Sequence, residues 1–391
     1  HHFPKNYPIY DSFVEKVLLY FQKRDKFYEF KKEDLKNYSQ FKNILIHFKK
    51  FYGRYFDKPF FGENDKDENI ISAVVNFSLS ISHPIMVQQE FRGLFFDIKS
   101  YFSPKRNSSI VNNFYTSYLY AGLSQYTLRF KDNVVLNHIE QKANLWINEK
   151  EQKLNYVLQR VDQYPIGILY INLFRITKNL KYRIITEHIY NSILENRCKN
   201  SNIVKYNKDE NNYVDVLGMI VPFLMEYYDL TKDSLAYTIA KDNIEEFYKY
   251  GVDKETGIPS HGYNSISHIK VGSNNWGRGI GWYLLANAYC SNTNINKDII
   301  DRNLKNIPYS QFPKSKEDFD SSVALMIEIY KQSKGKRKNI SLDFIKQHIR
   351  KNGIIDHCSG DTYNFNYYSN TSSESEFCNG LLLLLLSKFN Y

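Results

Sequence analysis

Cysteine is scarce in this 391-residue chain: the four are Cys198, Cys290, Cys358 and Cys378, far apart and without a CxxC pair. That spacing argues against a disulfide scaffold and a zinc module. No apolar run reaches bilayer-spanning length, and the six leucines Leu381–Leu386 fall far short of it. Strand signals are few and helical periodicity dominates. No basic arm or nucleic-acid motif accompanies the formal charge of +10, whose densest patches are at 23–36 and 331–338. An anionic small or polymeric ligand therefore fits the charge better than DNA or RNA, with a solvated basic surface as the alternative. No signal peptide is evident, which points to the cytoplasm. The His1-His2 start resembles a tag remnant on a trimmed chain, so a periplasmic or secreted location stays open.

Aromatic residues are abundant, at 16%, with 33 Tyr and 27 Phe. A surplus of tyrosine suits a carbohydrate-lined cleft, although the joint bias to Lys, Asn, Ile and Tyr also looks like compositional drift. More informative is a pattern recurring every 40 to 65 residues: a small-residue start, an apolar helix, then a polar turn. Its copies are Tyr118–Tyr126, Tyr164–Phe174, Asp215–Met225, Gly281–Tyr289, Asp320–Tyr330 and Asn379–Leu386. Polar turns such as Lys131-Asp132-Asn133, Thr177-Lys178-Asn179 and Thr231-Lys232-Asp233 follow. These helices are apolar nearly all round and belong in a core. Amphipathic helices, Tyr182–Leu194 and Leu235–Tyr250 among them, alternate with them. A closed double ring of helices meets those demands, and an irregular helical solenoid is the alternative. The ring would crowd the N-terminal ends of its inner helices around one mouth. Residues 108–391 carry the repeat. Residues 1–107 are expected to form an N-terminal helical extension or subdomain, with helical runs at Phe13–Phe21 and Phe41–Tyr52 and a linker at Phe102–Ser109.

The most distinctive segment is Asn274-Asn275-Trp276-Gly277-Arg278-Gly279-Ile280-Gly281-Trp282. Glycines allow close backbone approach, tryptophan offers a flat face to a sugar ring, and arginine a planar fork to a carboxylate. The apolar run that follows reads as a helix, so a bound carboxylate would lie near the positive end of its dipole. A glycine-rich helix start with tryptophans in the core is the competing account. Asp215 opens the third repeat and Asp162 stands just before the second, which brings both to the same mouth. Such a pair can divide acid–base work, one carboxylate kept partly protonated by apolar neighbours and by the other's charge. Helix capping is the alternative for each. His261, in Pro259-Ser-His-Gly-Tyr263, lies on a loop at the same end. Pro222 inside the third helix predicts a kink. His348, His357, Cys358 and Cys378 lack zinc spacing, and the alternate glycines 277, 279 and 281 lack the strand context of a dinucleotide site.

On Asp215-Val-Leu-Gly-Met-Ile-Val-Pro-Phe-Leu224, Thr256-Gly257-Ile258, His261-Gly262-Tyr263 and Trp276–Trp282, the chain resembles the unsaturated glucuronyl and rhamnogalacturonyl hydrolases of glycoside hydrolase families 88 and 105. Asp320-Ser321-Ser322 and the glycine-led last helix also fit, and the resemblance covers about 110–391. It implies an all-α fold, an (α/α)6 barrel, and hydration of the C4–C5 double bond of a Δ4,5-unsaturated uronic acid at the non-reducing end of an acidic oligosaccharide. Asp215 would be the acid and base and Asp162 the second aspartate. His261, Tyr263, Trp276, Arg278 and Trp282 would hold the sugar. No metal or organic cofactor is implied. The competing functions are a hydrolase or lyase of an intact acidic surface polysaccharide, and a barrel that binds carbohydrate without turning it over.

Overall fold

The computed structural model describes residues 18–19, 22–23, 26, 28–37, 39–47, 60–61, 65–81, 111, 113–273, 276–307, 319–335, 340–362, 365, 368–369 and 372–389. The linker expected at Phe102–Ser109 and the pair Asn274-Asn275 lie outside them, as does most of Phe13–Phe21. Residues 39–47 are helical. Described residues up to 47 and those from 60 onward belong to two compact units.

In the larger unit the helices are α1 (Asp67–Ile81), α2 (Phe114–Phe130), α3 (Asn133–Leu145), α4 (Gly167–Thr177), α5 (Leu180–Glu195), α6 (Asp215–Thr231), α7 (Ser234–Gly251), α8 (Gly277–Tyr289), α9 (Lys297–Asn303), α10 (Ser321–Ser333) and α11 (Glu376–Lys388). Helices α2, α4, α6, α8, α10 and α11 pack successively, and α11 returns to α2. That closes the inner ring, and each member is one of the six repeat copies. Helices α3, α5 and α7 each lie against two neighbouring inner helices, and α1 covers α11 and α2. Helix α1 thus belongs to the barrel although the repeat does not extend to it. This is the all-α (α/α)6 double ring, and the solenoid is set aside by the contact between its first and last inner helices.

Sequence explains the hairpins at one end. Helices α2, α4 and α6 finish on Lys131, Lys178 and Lys232, each left-handed, with φ of 55, 59 and 62°. In each case the next residue caps the following helix: Asp132, Asn179 and Asp233 accept from its first backbone N–H groups. Two residues therefore stop one helix and start the next. The return connections, 146–166, 196–214 and 252–276, are long and lie at the opposite end, where the inner helices begin. They carry small antiparallel sheets: β1 (Ile147–Asn148) pairs with β2 (Lys153–Leu154), and β3 (Asn211–Tyr213), β4 (Gly262–Asn264) and β5 (Lys270–Val271) lie in the order β3-β4-β5.

Close packing needs particular residues along the ring. Helices α2 and α11 touch backbone to backbone: a Cβ at Gly380 would stand 2.2 Å from the Tyr118 carbonyl oxygen, and one at Gly122 2.3 Å from that of Gly380. Pro222 lies within α6 and has no N–H to give the Gly218 carbonyl one turn back. The hydroxyl of Tyr118, fully buried, donates to that carbonyl at 2.5 Å and replaces the missing partner. At the C-terminal end of the inner helices, buried Glu226 pairs with Arg175 of α4 and, at 2.5 Å, with Lys388 of α11.

Candidate active site

The connection before α4 forms a 3-10 turn, Val161–Ile166, that carries Asp162. Its carboxylate is buried, yet both oxygens lie near the Tyr206 hydroxyl, at 2.8 and 2.9 Å, and Oδ2 is 2.7 Å from Arg160 Nη2. Burial pushes the Asp162 carboxyl above its ordinary range; Arg160 and Tyr206 pull against it, while Asp215 and Asp361 add to it. The mutual influence puts Asp162 and Asp215 within electrostatic reach of each other.

Asp215 is the first residue of α6 and does not cap it: the cap position is Val214, with no side-chain cap bond. Its Oδ2 is buried and accepts no hydrogen bond among the described residues; His261 Nε2 lies 3.4 Å away. His261 is buried just before β4, and its Nδ1 stands 2.9 Å from the Tyr368 hydroxyl, which accepts from the Ser273 backbone N–H at 2.8 Å. The His261 ring leans on Trp276 (centroids 4.4 Å) and meets Phe365 edge-on at 5.0 Å. Phe365 in turn stacks on Tyr213 at 4.7 Å. Two carboxylates thus sit against an aromatic wall, one held by donors and the other without them.

A family model described as Glycosyl Hydrolase Family 88 matches residues 106–307, just over half of the sequence. The chain belongs to glycosyl hydrolase family 88. Solved structures similar to this family 88 chain share its fold at low identity. A possible member of family 105 from Klebsiella pneumoniae has a TM-score of 0.66 at 12% identity, over 84% of this chain and 94% of that one. The unsaturated glucuronyl hydrolase of Bacillus sp. GL1 has 0.57 at 12%, over 83% and 97%. An unsaturated glucuronyl hydrolase specific for heparin has 0.59 at 15%, over 83% and 97%. An uncharacterized protein of Haemophilus influenzae is 63% identical over 51 residues, 13% of this chain and 25% of that protein. The match thus spans a quarter of that curated relative's length.

Of the residues expected at the mouth of this family 88 barrel, Asp162, Asp215, His261 and Trp276 come together. The other three side chains are engaged elsewhere. Trp282 is fully buried in the ring, filling the space that Gly218 leaves, with Phe114 and Phe377 edge-on and tilted against it. Tyr263 points to the other face of β4, its hydroxyl accepting from Asn212 and donating to Glu246, both at 2.7 Å. Arg278 is buried and gives two guanidinium donors to the carbonyls of Ser359 (3.0 Å) and Gly360 (2.6 Å). It braces the loop leading to Asp361 and Phe365 rather than offering a fork. The glycines of this segment serve packing: a Cβ at Gly279 would strike Trp276, and one at Gly281 would strike Met326. Among the described residues no group of three or more His, Cys, Asp and Glu is placed to hold a metal ion, and His348 stacks on Phe319. Likewise, no helix among them is long and apolar enough to cross a membrane.

Sequence reasoning missed Arg160, Tyr206, Tyr213, Phe365 and Tyr368, together with Asp361, which accepts from the Tyr115 hydroxyl. For Arg160 a signal existed, its place two residues before Asp162. Nothing in the sequence marks Tyr206 or Tyr368 among 33 tyrosines.

Proposed function

We propose that this protein is a glycoside hydrolase acting on a Δ4,5-unsaturated uronic acid at the non-reducing end of an acidic oligosaccharide. Asp215 protonates C4 of the vinyl ether, leaving an oxocarbenium at C5. It then acts as base on the water that adds to C5. The hemiketal opens to a C5 ketone, the anomeric carbon becomes a hemiacetal, and the next sugar leaves with its oxygen. Atoms balance with one water consumed. Asp162 supplies the second carboxylate and orients ring hydroxyls or that water. His261 and Trp276 line the sugar face.

The observation that carries the proposal is Asp215 Oδ2, buried and without a hydrogen-bond donor, 3.4 Å from His261 Nε2 and in the field of a second carboxylate. A capping aspartate would have its oxygens on backbone N–H groups, whereas a proton carrier needs a lone pair kept for substrate. Family membership and structural neighbours that are unsaturated glucuronyl hydrolases support the same chemistry. Incubation with a Δ4,5-unsaturated disaccharide, following loss of the ultraviolet absorbance of the conjugated acid, tests it. Wild type should bleach the band and Asp215→Asn should be slower by about 10²–10⁴-fold. Retained activity in Asp215→Asn removes the acid–base assignment. Cleavage of intact acidic polysaccharide without action on the unsaturated disaccharide replaces the substrate, and binding of either without turnover leaves a carbohydrate-binding barrel.

A further inference from the structure

We propose that Tyr206 is a positioning residue for this reaction: with Arg160 it holds and orients the Asp162 carboxylate and works against its protonation, beside an Asp215 that is free of donors. This rests on the hydrolase function proposed above, but its central measurement does not require turnover.

Geometry sets the two carboxylates apart. Asp162 has donors at both oxygens, from Tyr206 at 2.8 and 2.9 Å and from Arg160 at 2.7 Å. Asp215 Oδ2 has none among the described residues. Arg160 Nη2 also donates to the Tyr206 oxygen at 3.0 Å, so guanidinium, phenol and carboxylate form a closed triangle. Within it the phenol receives from the cation and passes its own proton toward the anion, an arrangement that polarises both bonds in the direction favouring ionised Asp162. The guanidinium stands on the solvent side, with a side chain 58% exposed, whereas Tyr206 is the inner member. Exposure weakens what Arg160 can do alone, and the half-buried phenol is the better shielded of the two donors.

The phenol is held in place by its surroundings. Residue 204 is tied to α7 by the Asn243 side chain, which accepts from the Val204 N–H at 3.0 Å, and bridges back to Arg197. Lys205 closes the next step onto the Asp209 carbonyl at 2.8 Å. The Tyr206 ring then leans on Tyr213, centroids 5.6 Å apart, within the aromatic wall. The charged and titratable groups facing Asp162 are Arg160, Tyr206, Asp215 and Asp361. Two of these are anions and burial is unfavourable as well, so Arg160 and Tyr206 are the two groups that work against protonation of Asp162.

The test is carboxyl ¹³C NMR of the full chain labelled at aspartate, the Asp162 resonance being the one lost in Asp162→Asn. Tyr206→Phe keeps the ring and removes the hydroxyl. Its Asp162 midpoint should rise by about one pH unit. Arg160→Gln should raise it as well. On the unsaturated disaccharide, Tyr206→Phe should lower kcat with KM nearly kept and move the acidic limb of kcat/KM to higher pH. An unchanged Asp162 midpoint in both variants overturns the proposal, as does activity lost with an unshifted pH profile, which would mark Tyr206 as a packing residue. If the midpoint shifts but wild type does not turn over the unsaturated sugar, the positioning stands and the hydrolase function falls.

Discussion

Substituting Gly380 by alanine probes the contact that closes the ring. The added methyl would stand 2.2 Å from the Tyr118 carbonyl oxygen, 2.5 Å from its carbonyl carbon and 2.7 Å from Leu119 N. Non-bonded atoms settle at roughly 3.5–4.0 Å, so α2 and α11 must part by about 1 Å. All three partners are backbone and no rotamer change relieves them, which places the loss near the upper end of the ~1–3 kcal/mol typical of overpacking. Alanine is the better helix former by ~1 kcal/mol, leaving a net destabilisation of about 2 kcal/mol. The three tryptophans, 146, 276 and 282, all lie in the barrel unit, so urea unfolding followed by tryptophan fluorescence reports on that unit. The Gly380→Ala midpoint should fall with an unchanged slope. Gly122→Ala should fall as well, and the double variant by less than the sum, since the second methyl enters a gap already opened. A Gly380→Ala midpoint equal to or above wild type would refute the backbone contact.

Three further outcomes are expected. Tyr118→Phe leaves the Gly218 carbonyl, one turn before Pro222, without its buried donor and should cost about 1–3 kcal/mol in the same urea assay. Burial raises the Glu226 carboxyl, but Lys388 and then Arg175 outweigh it and hold its folded pKa below the ordinary value of 4.5. The unfolded chain therefore binds the proton first. The stabilisation is present above pH 4.5 and is lost as pH falls through the lower folded value, so urea midpoints of Glu226→Gln should fall less steeply with acid than those of wild type. At neutral pH Glu226→Gln should itself be less stable by about 3–5 kcal/mol, because it leaves two cations without their buried partner.

Much of the ring was legible because its signal is repeated. Apolar helices followed by lysine and a capping residue recur at 131–132, 178–179 and 232–233, and each forms the same hairpin. Helix α1 escaped because one copy of an amphipathic pattern, 67–81, resembles any surface helix until its neighbours are known. The site was half legible. Aspartates at the starts of successive inner elements are placed by the helix period, so Asp162 and Asp215 could be brought together from sequence. Direction could not be read the same way. Trp282 lies five residues after the start of α8 and turns into the ring, whereas Trp276 precedes the helix and stays at the mouth. Arg278 looked like a free fork because its partners, the carbonyls of Ser359 and Gly360, are 81 and 82 residues away and leave no trace in residue type.

The unequal connections have a consequence for how this barrel can change. At the hairpin end, left-handed lysines and adjacent caps set the register of each helix pair, and one inserted residue would turn a cap away from its helix. At the other end, 146–166, 196–214 and 252–276 already supply Asp162, Tyr206 and His261 from irregular chain. Doubling the length of such a loop costs only about 0.6 kcal/mol in closure entropy. Insertions there can reshape the mouth around Asp215, while the ring that holds it keeps its register. The mouth and the register of the ring are thus exposed to mutation at opposite ends of the same helices.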